Sequence, residues 1–269
     1  MNKDIVSFDL KGNFACFRKN DTNDIVYTTY NFIHRPAVLG ILGAILGYKG
    51  YAFANRKKPE YYEKLKNLKV AIEPLFSSVP PKMILTFNNS SGLASSEKGG
   101  ALQVKEQVMV NLTEKISYRI YIDLTEGIEE DIKKKLCEKL DSFSSEYSLY
   151  LGKNEFLGYY DEVKYYKKVS IDETKESKFS ISTLIPVSYL KNAFKQKIDL
   201  FDFSQVLEVN IMFEILPVDF DDNFIYVKDK FAWIIKGEVL LEDKKNVLKI
   251  IDEKGGEKYI YFIGKKEDI

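Results

Sequence analysis

Histidine is nearly missing from this chain: of 269 residues, only His34 is one. An imidazole-based zinc site is thereby all but excluded, and a Ser-His-Asp triad has a single possible base. Cysteine is almost as scarce. Cys16 and Cys137 stand alone without a Cys-x-x-Cys spacing, so a disulfide framework, a zinc ribbon and thiol redox chemistry drop out, and a reducing compartment is expected. Net charge is absent too. The 40 Lys+Arg balance 40 Asp+Glu, which rules out a uniformly basic coat for nucleic acid. No apolar run reaches the roughly twenty residues of a membrane span. The first apolar run alternates with polar residues, unlike a secretory signal, so a cytoplasmic protein without membrane contact is expected.

What charge there is lies unevenly. Residues 1–60 hold nine Lys/Arg against five Asp/Glu, whereas residues 201–269 hold ten against fifteen. A polyanion would therefore meet the N-terminal part. All four arginines, Arg18, Arg35, Arg56 and Arg119, fall in the first 119 residues, and arginine is the better fork for phosphate.

The least ordinary stretch is His34 to Gly50. Pro36 presets a first helical turn and no charge follows until Lys49, so a short helix over about Pro36 to Gly47 is expected. Gly40, Gly43 and Gly47, with Ala44, line one stripe of it. Each interior glycine costs a helix about 1 kcal/mol relative to alanine, so something must approach that stripe closely. Either a packed sheet or backbone lies there, or a phosphate backbone lies near the helix start beside Arg35; both hold if they use different faces. A Walker A loop is excluded, because Gly47-Tyr48-Lys49 lacks the required Gly-Lys-Ser/Thr.

Ile5 to Arg18 alternates with period two and reads as one long strand, bulged at Gly12. Residues 48–66 are basic and rich in tyrosine, a pattern of a solvated face or of RNA contact. Leu68 to Phe76 reads as a second strand. Thr86 to Gly100 is small and polar between the pairable flanks Met83 to Leu85 and Leu102 to Val110, which suggests an extended hairpin with a loose tip. Ile116 to Leu124 is a third strand, and Ile128, Ile132, Leu136 and Leu140 mark an amphipathic helix. A fourth strand runs from about Gly158 to Val169. The order β-α-β-β-α-β is that of an α+β, ferredoxin-like (RRM-like) domain, here residues 1–169 with an insertion at about 86–107. Residues 170–269 read as a smaller β-rich C-terminal domain. Its candidate strands are Val209 to Leu216, Phe224 to Val227, Phe231 to Leu241, Val247 to Ile251 and Tyr259 to Ile263, with a short Val187 to Lys195 segment among them.

Several motifs in this order resemble the Cas-five family of CRISPR-associated proteins, in the RAMP superfamily of RNA-binding proteins. They are Gly12-Asn13-Phe14-Ala15-Cys16-Phe17-Arg18, then Tyr27-Thr28-Thr29-Tyr30 leading to Arg35-Pro36 and the glycine helix. Gln107-Val108-Met109-Val110-Asn111 with Tyr118-Arg119-Ile120-Tyr121, and Tyr150-Leu151-Gly152-Lys153-Asn154-Glu155-Phe156, complete the set. The resemblance covers about residues 5–160. It implies a non-catalytic subunit of a type I CRISPR surveillance complex (Cascade), of the type I-B branch, serving antiviral defence. Such a subunit caps the 5′ handle of the CRISPR RNA (crRNA), touches the large subunit and the first backbone subunit, and meets target DNA only indirectly. The insertion at 86–107 becomes a β-hairpin thumb. By position the resemblance assigns handle contact to Arg18, Tyr30, His34, Arg35 and Lys49, thumb contact to Asn88, Gln103 and Lys105, and a further contact to Arg119. One branch of the family cuts repeat RNA with a Tyr near the end of the first helix and a later Lys-His pair. Here Leu46 takes the helix position, Tyr48 follows, and no histidine comes after His34, so no nuclease activity, metal or cofactor is expected. Two alternatives stay open: a metal-independent endoribonuclease using Tyr48 or His34, and a free-standing ferredoxin-like RNA-binding module.

Overall fold

The structure is a computed structural model, and it describes residues 4–21, 26–55, 58–89, 102–111, 113–171, 178–191 and 210–265. Within these the chain is mixed α/β, mostly strand with few helices. The first strand, β1 (Ile5–Gly12), is buried on both sides because it lies at the centre of a sheet. It does not continue to Arg18 as expected. After Gly12 the chain turns away, and β2 (Phe14–Ala15) joins a different sheet. Glycine permits that exit, since a Cβ at residue 12 would stand 2.6 Å from Leu151 Cδ1 and 3.2 Å from the Leu157 carbonyl oxygen.

Next come α1 (Arg35–Leu46) and, after a 3₁₀ turn at Tyr51–Phe53, the short α2 (Glu60–Leu65). The basic, tyrosine-rich run is thus partly a packed helix, for Tyr61, Tyr62 and Leu65 of α2 are buried. The strands β3 (Val70–Pro74), β4 (Lys82–Asn89), β5 (Leu102–Val110) and β6 (Ile116–Asp123) precede α3 (Glu130–Asp141). Strands β7 (Leu149–Tyr150) and β8 (Leu157–Ser170) follow. The central sheet has seven strands, including β14 (Val247–Ile251) and β15 (Glu257–Tyr261) from the end of the chain, in the order β15-β14-β8-β1-β6-β3, with β7 beside β8. Every pairing within it is antiparallel.

The two faces of this sheet are built differently. Val6, Phe8 and Leu10 of β1 and Tyr118, Ile120 and Ile122 of β6 belong to the same buried cluster as Leu42 and Ile45 of α1 and Leu136 and Leu140 of α3. Each such side chain contributes about 1.5–3 kcal/mol when fully buried. On the other face, Ile5 and Tyr121 form a second cluster with Ile250, Ile260 and Phe262. The chain after β15 then reaches the far edge, where Val70 and Ile263 exchange backbone hydrogen bonds of 3.1 and 2.7 Å.

The described residues of 170–269 accordingly share the core of the first part. Phe179, Leu184, Phe231, Trp233 and Val239 lie in the same cluster as Val6 and Phe8, and β14 extends the main sheet through β8. The remaining strands are β9 (Lys178–Phe179), β10 (Ile185–Pro186), β11 (Asn210–Phe220), β12 (Tyr226–Lys236) and β13 (Val239–Leu240). β10, β12 and β11 make a small antiparallel sheet, and β9 pairs β13. The expected strands at Phe224 to Val227 and Phe231 to Leu241 are largely one strand, β12. The segment Val187 to Lys195 begins with a 3₁₀ turn over Val187–Tyr189, and its residues 192–195 lie outside the described residues.

β4 and β5 pair from Lys82↔Met109 to Asn89↔Leu102, and β2 holds their base. The loose tip expected there falls on residues 90–101, outside the described residues.

Candidate nucleic-acid interface

The geometry of this region follows from how α1 begins and ends. His34 is its N-cap, with extended backbone angles and with Nδ1 accepting a hydrogen bond of 3.3 Å from the Ala37 amide. Nε2 therefore carries the proton of the neutral ring. Burial holds the His34 pKa down at about 3, so the ring is uncharged at neutral pH. At the other end Gly47 adopts φ +83° and donates to the Gly43 carbonyl. Carbonyls of the last turns also accept from the Glu146 amide, the Tyr147 amide and Lys135 Nζ. Those bonds bring residues 146–150 alongside the helix.

The glycine stripe is covered at Gly43 and Gly47 and open at Gly40, with Glu146 against Gly47. Tyr61 of α2 presses on Gly43, where a Cβ would lie 2.4 Å from Tyr61 Cβ. At Gly40 the nearest atoms would be 3.9 Å away, an ordinary contact, and here the helix is open. Along that flank runs a groove of about 620 Å³. Pro36, Ala37, Gly40, Ile41 and Ala44 line it, one face of the helix by their spacing. Arg18, Lys49, the turn Tyr51–Phe53 and residues Tyr147–Tyr150 also line it, and Phe220 and Tyr226 join them from the small sheet.

Arg18 and Lys49 are exposed, and among the described residues no carboxylate lines the groove. The Arg18 guanidinium lies 3.5 Å from the centre of the Tyr27 ring. Tyr51, Phe53, Tyr147 and Tyr150 are each about half exposed or more. Exposed cations set among solvent-facing aromatic rings are the combination that holds single-stranded nucleic acid: charge for phosphates, flat surfaces for bases. Cys16 also lines the groove, but burial, with Glu106 beside it, pushes its thiol up to about 12, so it is not a thiolate nucleophile.

Of the residues singled out from sequence, Arg18, His34 and Lys49 line the groove. Tyr30 sits behind it, 2% exposed, its ring 5.5 Å from that of His34. Asn88, Gln103 and Lys105 share one face of the β4–β5 hairpin, with Asn88 directly opposite Gln103. Gln107 belongs to the same face, and its Oε1 accepts from the Thr29 amide at 3.3 Å.

Two arginines are elsewhere. Arg35 is fully buried and points into the protein, donating to the Val218 carbonyl at 3.1 Å, the Leu68 carbonyl at 3.0 Å and the Lys66 carbonyl at 2.5 Å. Asp219 lies 3.8 Å away. An open phosphate fork at the helix start is thus corrected to an internal brace between α1, the chain before β3, and β11. Arg119 lies in β6 beside Asp9 of β1, to which it donates two bonds of 2.6 and 2.9 Å. Burial disfavours its charge, but Asp9 outweighs burial and holds its pKa above the ordinary value.

Tyr147, Phe220 and Tyr226 escaped the sequence reading, and Tyr150 entered it only as part of a motif, with no role assigned. They come from segments far from α1 in the chain, and no local spacing links them to it. Among the described residues no group of His, Cys, Asp or Glu is arranged to hold a metal, and no helix is long and apolar enough to cross a membrane.

No protein-family model matches the chain, and no curated protein matches it. Solved structures do resemble it. A chain of a CRISPR RNA-guided surveillance complex is 12% identical with a TM-score of 0.46, over 88% of this chain and 91% of that one. A CRISPR protein from Archaeoglobus fulgidus is 13% identical with a TM-score of 0.47, over 95% and 97%. A chain of the Type III-B Cmr-beta complex bound to cognate target RNA and AMPPnP is 12% identical with a TM-score of 0.40, over 88% and 86%. These are distant likenesses of overall fold and assign no residue a role.

Proposed function

We propose that this protein is a non-catalytic, RNA-binding subunit of a CRISPR ribonucleoprotein, of the Cas-five kind, which caps the 5′ handle of crRNA in a type I Cascade complex. The observation that carries the reading is the groove along α1, where among the described residues Arg18 and Lys49 are the charges, no carboxylate is present, and exposed aromatic rings stand on the walls. The strand order β8-β1-β6-β3, antiparallel and with α1 and α3 packed on one face, supports the ferredoxin-like assignment of the first part. In this reading the β4–β5 hairpin is the thumb, and Asn88, Gln103 and Lys105 are its polar contacts with the strand. Zero net charge suits a subunit that meets protein partners, here the backbone and large subunits, as well as RNA.

The absence of cleavage is part of the proposal. General base catalysis on a ribose hydroxyl needs a group that accepts a proton near neutral pH. The Nδ1 of His34 is engaged as a helix cap and the ring's pKa is far too low. Burial, with Glu60 and Glu129, raises the Tyr48 pKa, which moves it away from that range.

The test is co-expression with the neighbouring genes and a CRISPR array, followed by pull-down and sequencing of the bound RNA. Recovery of RNAs with one uniform repeat-derived 5′ end, weakened by Arg18→Ala with Lys49→Ala, is the expected result. Purification without RNA or partner proteins would remove the surveillance-complex reading. Repeat RNA cut by the purified chain in EDTA, and spared by Tyr48→Phe, would instead make it an endoribonuclease.

A further inference from the structure

Beside the groove a second cavity of about 520 Å³ opens, and Tyr51, Phe220 and Tyr226 line both. Its other ring, Phe224, comes from the β11–β12 connection, and its polar side chains are Asn20 and Asn223. Phe220 and Tyr226 are stacked with centres 4.8 Å apart, and the Phe224 ring stands edge-on to Tyr51 at 5.9 Å. Phe224 holds φ +64°, a region that bulky side chains rarely enter. The Asp221 carboxylate maintains that turn by accepting from the Asn223 and Ile225 amides, each at 2.8 Å.

Among the described residues no charged side chain lines this cavity, in contrast to the groove next to it. Its volume lies within the usual range of small-ligand sites, about 300–1,000 Å³. Aromatic walls with two carboxamides suit a flat, neutral ligand that has hydrogen-bonding groups along its edge, because each amide both donates and accepts. Among the parts of a single-stranded RNA, that description fits an unstacked base and not a phosphate.

We propose that this cavity takes one splayed nucleobase, with Tyr51 and the Phe220–Phe224–Tyr226 cluster as its stacking surfaces and Asn20 and Asn223 as readers of its edge. The proposal rests on the RNA-binding reading of the groove, where Arg18 and Lys49 hold the phosphates of the same strand. The cavity would add a preference for a particular base at one position of a strand that the groove alone binds without regard to sequence. The same chemistry would accept the base of a free nucleotide.

The experiment uses eight-nucleotide single-stranded RNAs carrying one 2-aminopurine, moved through each position, titrated onto the full chain, with AMP, CMP, GMP and UMP as separate ligands. Because Phe224 and Tyr226 are partly buried, the exposed Tyr51 and Asn223 carry the test. One position is expected to be quenched far more than the others. Tyr51→Ala is expected to abolish that quench and weaken binding about tenfold, as loss of one base-stacking surface does. Asn223→Ala keeps the quench and flattens the preference among the four bases at that position.

Equal quenching at every position, or wild-type binding by both variants, overturns the base pocket. If Arg18→Ala and Lys49→Ala still weaken the same RNAs, the groove survives that failure. RNA that fails to bind at all overturns both. Mononucleotides bound as tightly as the octamers, with the same dependence on Tyr51, overturn the place of the base on a strand and assign the cavity to a free nucleotide.

Discussion

Arg35 at the root of α1 and Arg18 at the rim of the groove are the same side chain in opposite surroundings. Arg35 has no exposed surface, and its guanidinium is shared among backbone carbonyls from two distant segments. Arg18 is open to solvent, 3.5 Å from the centre of the Tyr27 ring, in a wall that carries no carboxylate among the described residues. The first charge is spent on joining parts of the chain, and the second is held ready for a phosphate. A similar division runs along α1 itself, where Gly43 is closed by Tyr61 and Gly40 opens on the groove. Residue type is shared by the two members of each pair. What differs is which other segment has been brought against them.

Substitution can break the contrast between the arginines. Arg35→Ala leaves buried carbonyls without their donor and Asp219 without its ion-pair partner, and is expected to destabilise the fold by at least about 3 kcal/mol, seen as a lower denaturant midpoint. Arg35→Lys should recover only part of this, since an ammonium lacks the planar fork. If Arg35→Ala melted like the wild type but bound RNA poorly, the brace would be wrong and the contact role would return.

The cap at His34 gives the next largest effect. Its pKa near 3 in the folded state, against about 6.5 unfolded, makes the unfolded chain the better proton acceptor between those values. Stability is therefore complete above about pH 6.5 and declines as the pH falls toward 3, by about 2 kcal/mol at pH 5. His34→Asn keeps a capping oxygen and should flatten this limb between pH 6.5 and 5 in thermal melts. An unchanged slope would show that other groups govern it.

The two glycines sharpen the comparison along the helix. Gly43→Ala forces a methyl into Tyr61 and should destabilise by about 1–2 kcal/mol after its gain in helix propensity. Gly40→Ala meets nothing closer than 3.9 Å and should stabilise by up to about 1 kcal/mol. Equal effects at both positions would mean that Tyr61 does not close the stripe.

The smallest effect on stability belongs to the rim. Arg18→Ala and Lys49→Ala should each change stability by less than about 0.5 kcal/mol. Each should lower RNA affinity and reduce the slope of log affinity against log salt by about 0.7. Loss of affinity without a change in that slope would place the phosphates elsewhere.

Much of this architecture could be read locally. The helix at residues 35–46 followed from Pro36 and an apolar run without charge, and β1, β6, α3 and β8 followed from period-two or four-residue spacing, because their buried faces are set by near neighbours in sequence. Three features could not be read so. The run at 48–66 looked solvated by charge, yet Tyr61, Tyr62 and Leu65 are buried, Tyr61 against the glycines of α1 and Tyr62 beside Asp219 and Phe220. The division expected at residue 169 ignores that β14 pairs with β8, a contact between strands widely separated in the chain. Arg35 reads as a surface arginine until Val218 and the chain before β3 are folded against it.

Sequence by itself therefore determined the order of elements, the neutral overall charge, the near absence of histidine chemistry, and two of the cations that line the groove. Tertiary structure alone decided which arginine is internal, which glycine is closed, and that Tyr147, Tyr150, Phe220 and Tyr226 stand beside α1. The physical reason is range. Helical and strand periodicity act over a few residues, whereas desolvation, ion pairing and ring contacts depend on which distant segments meet.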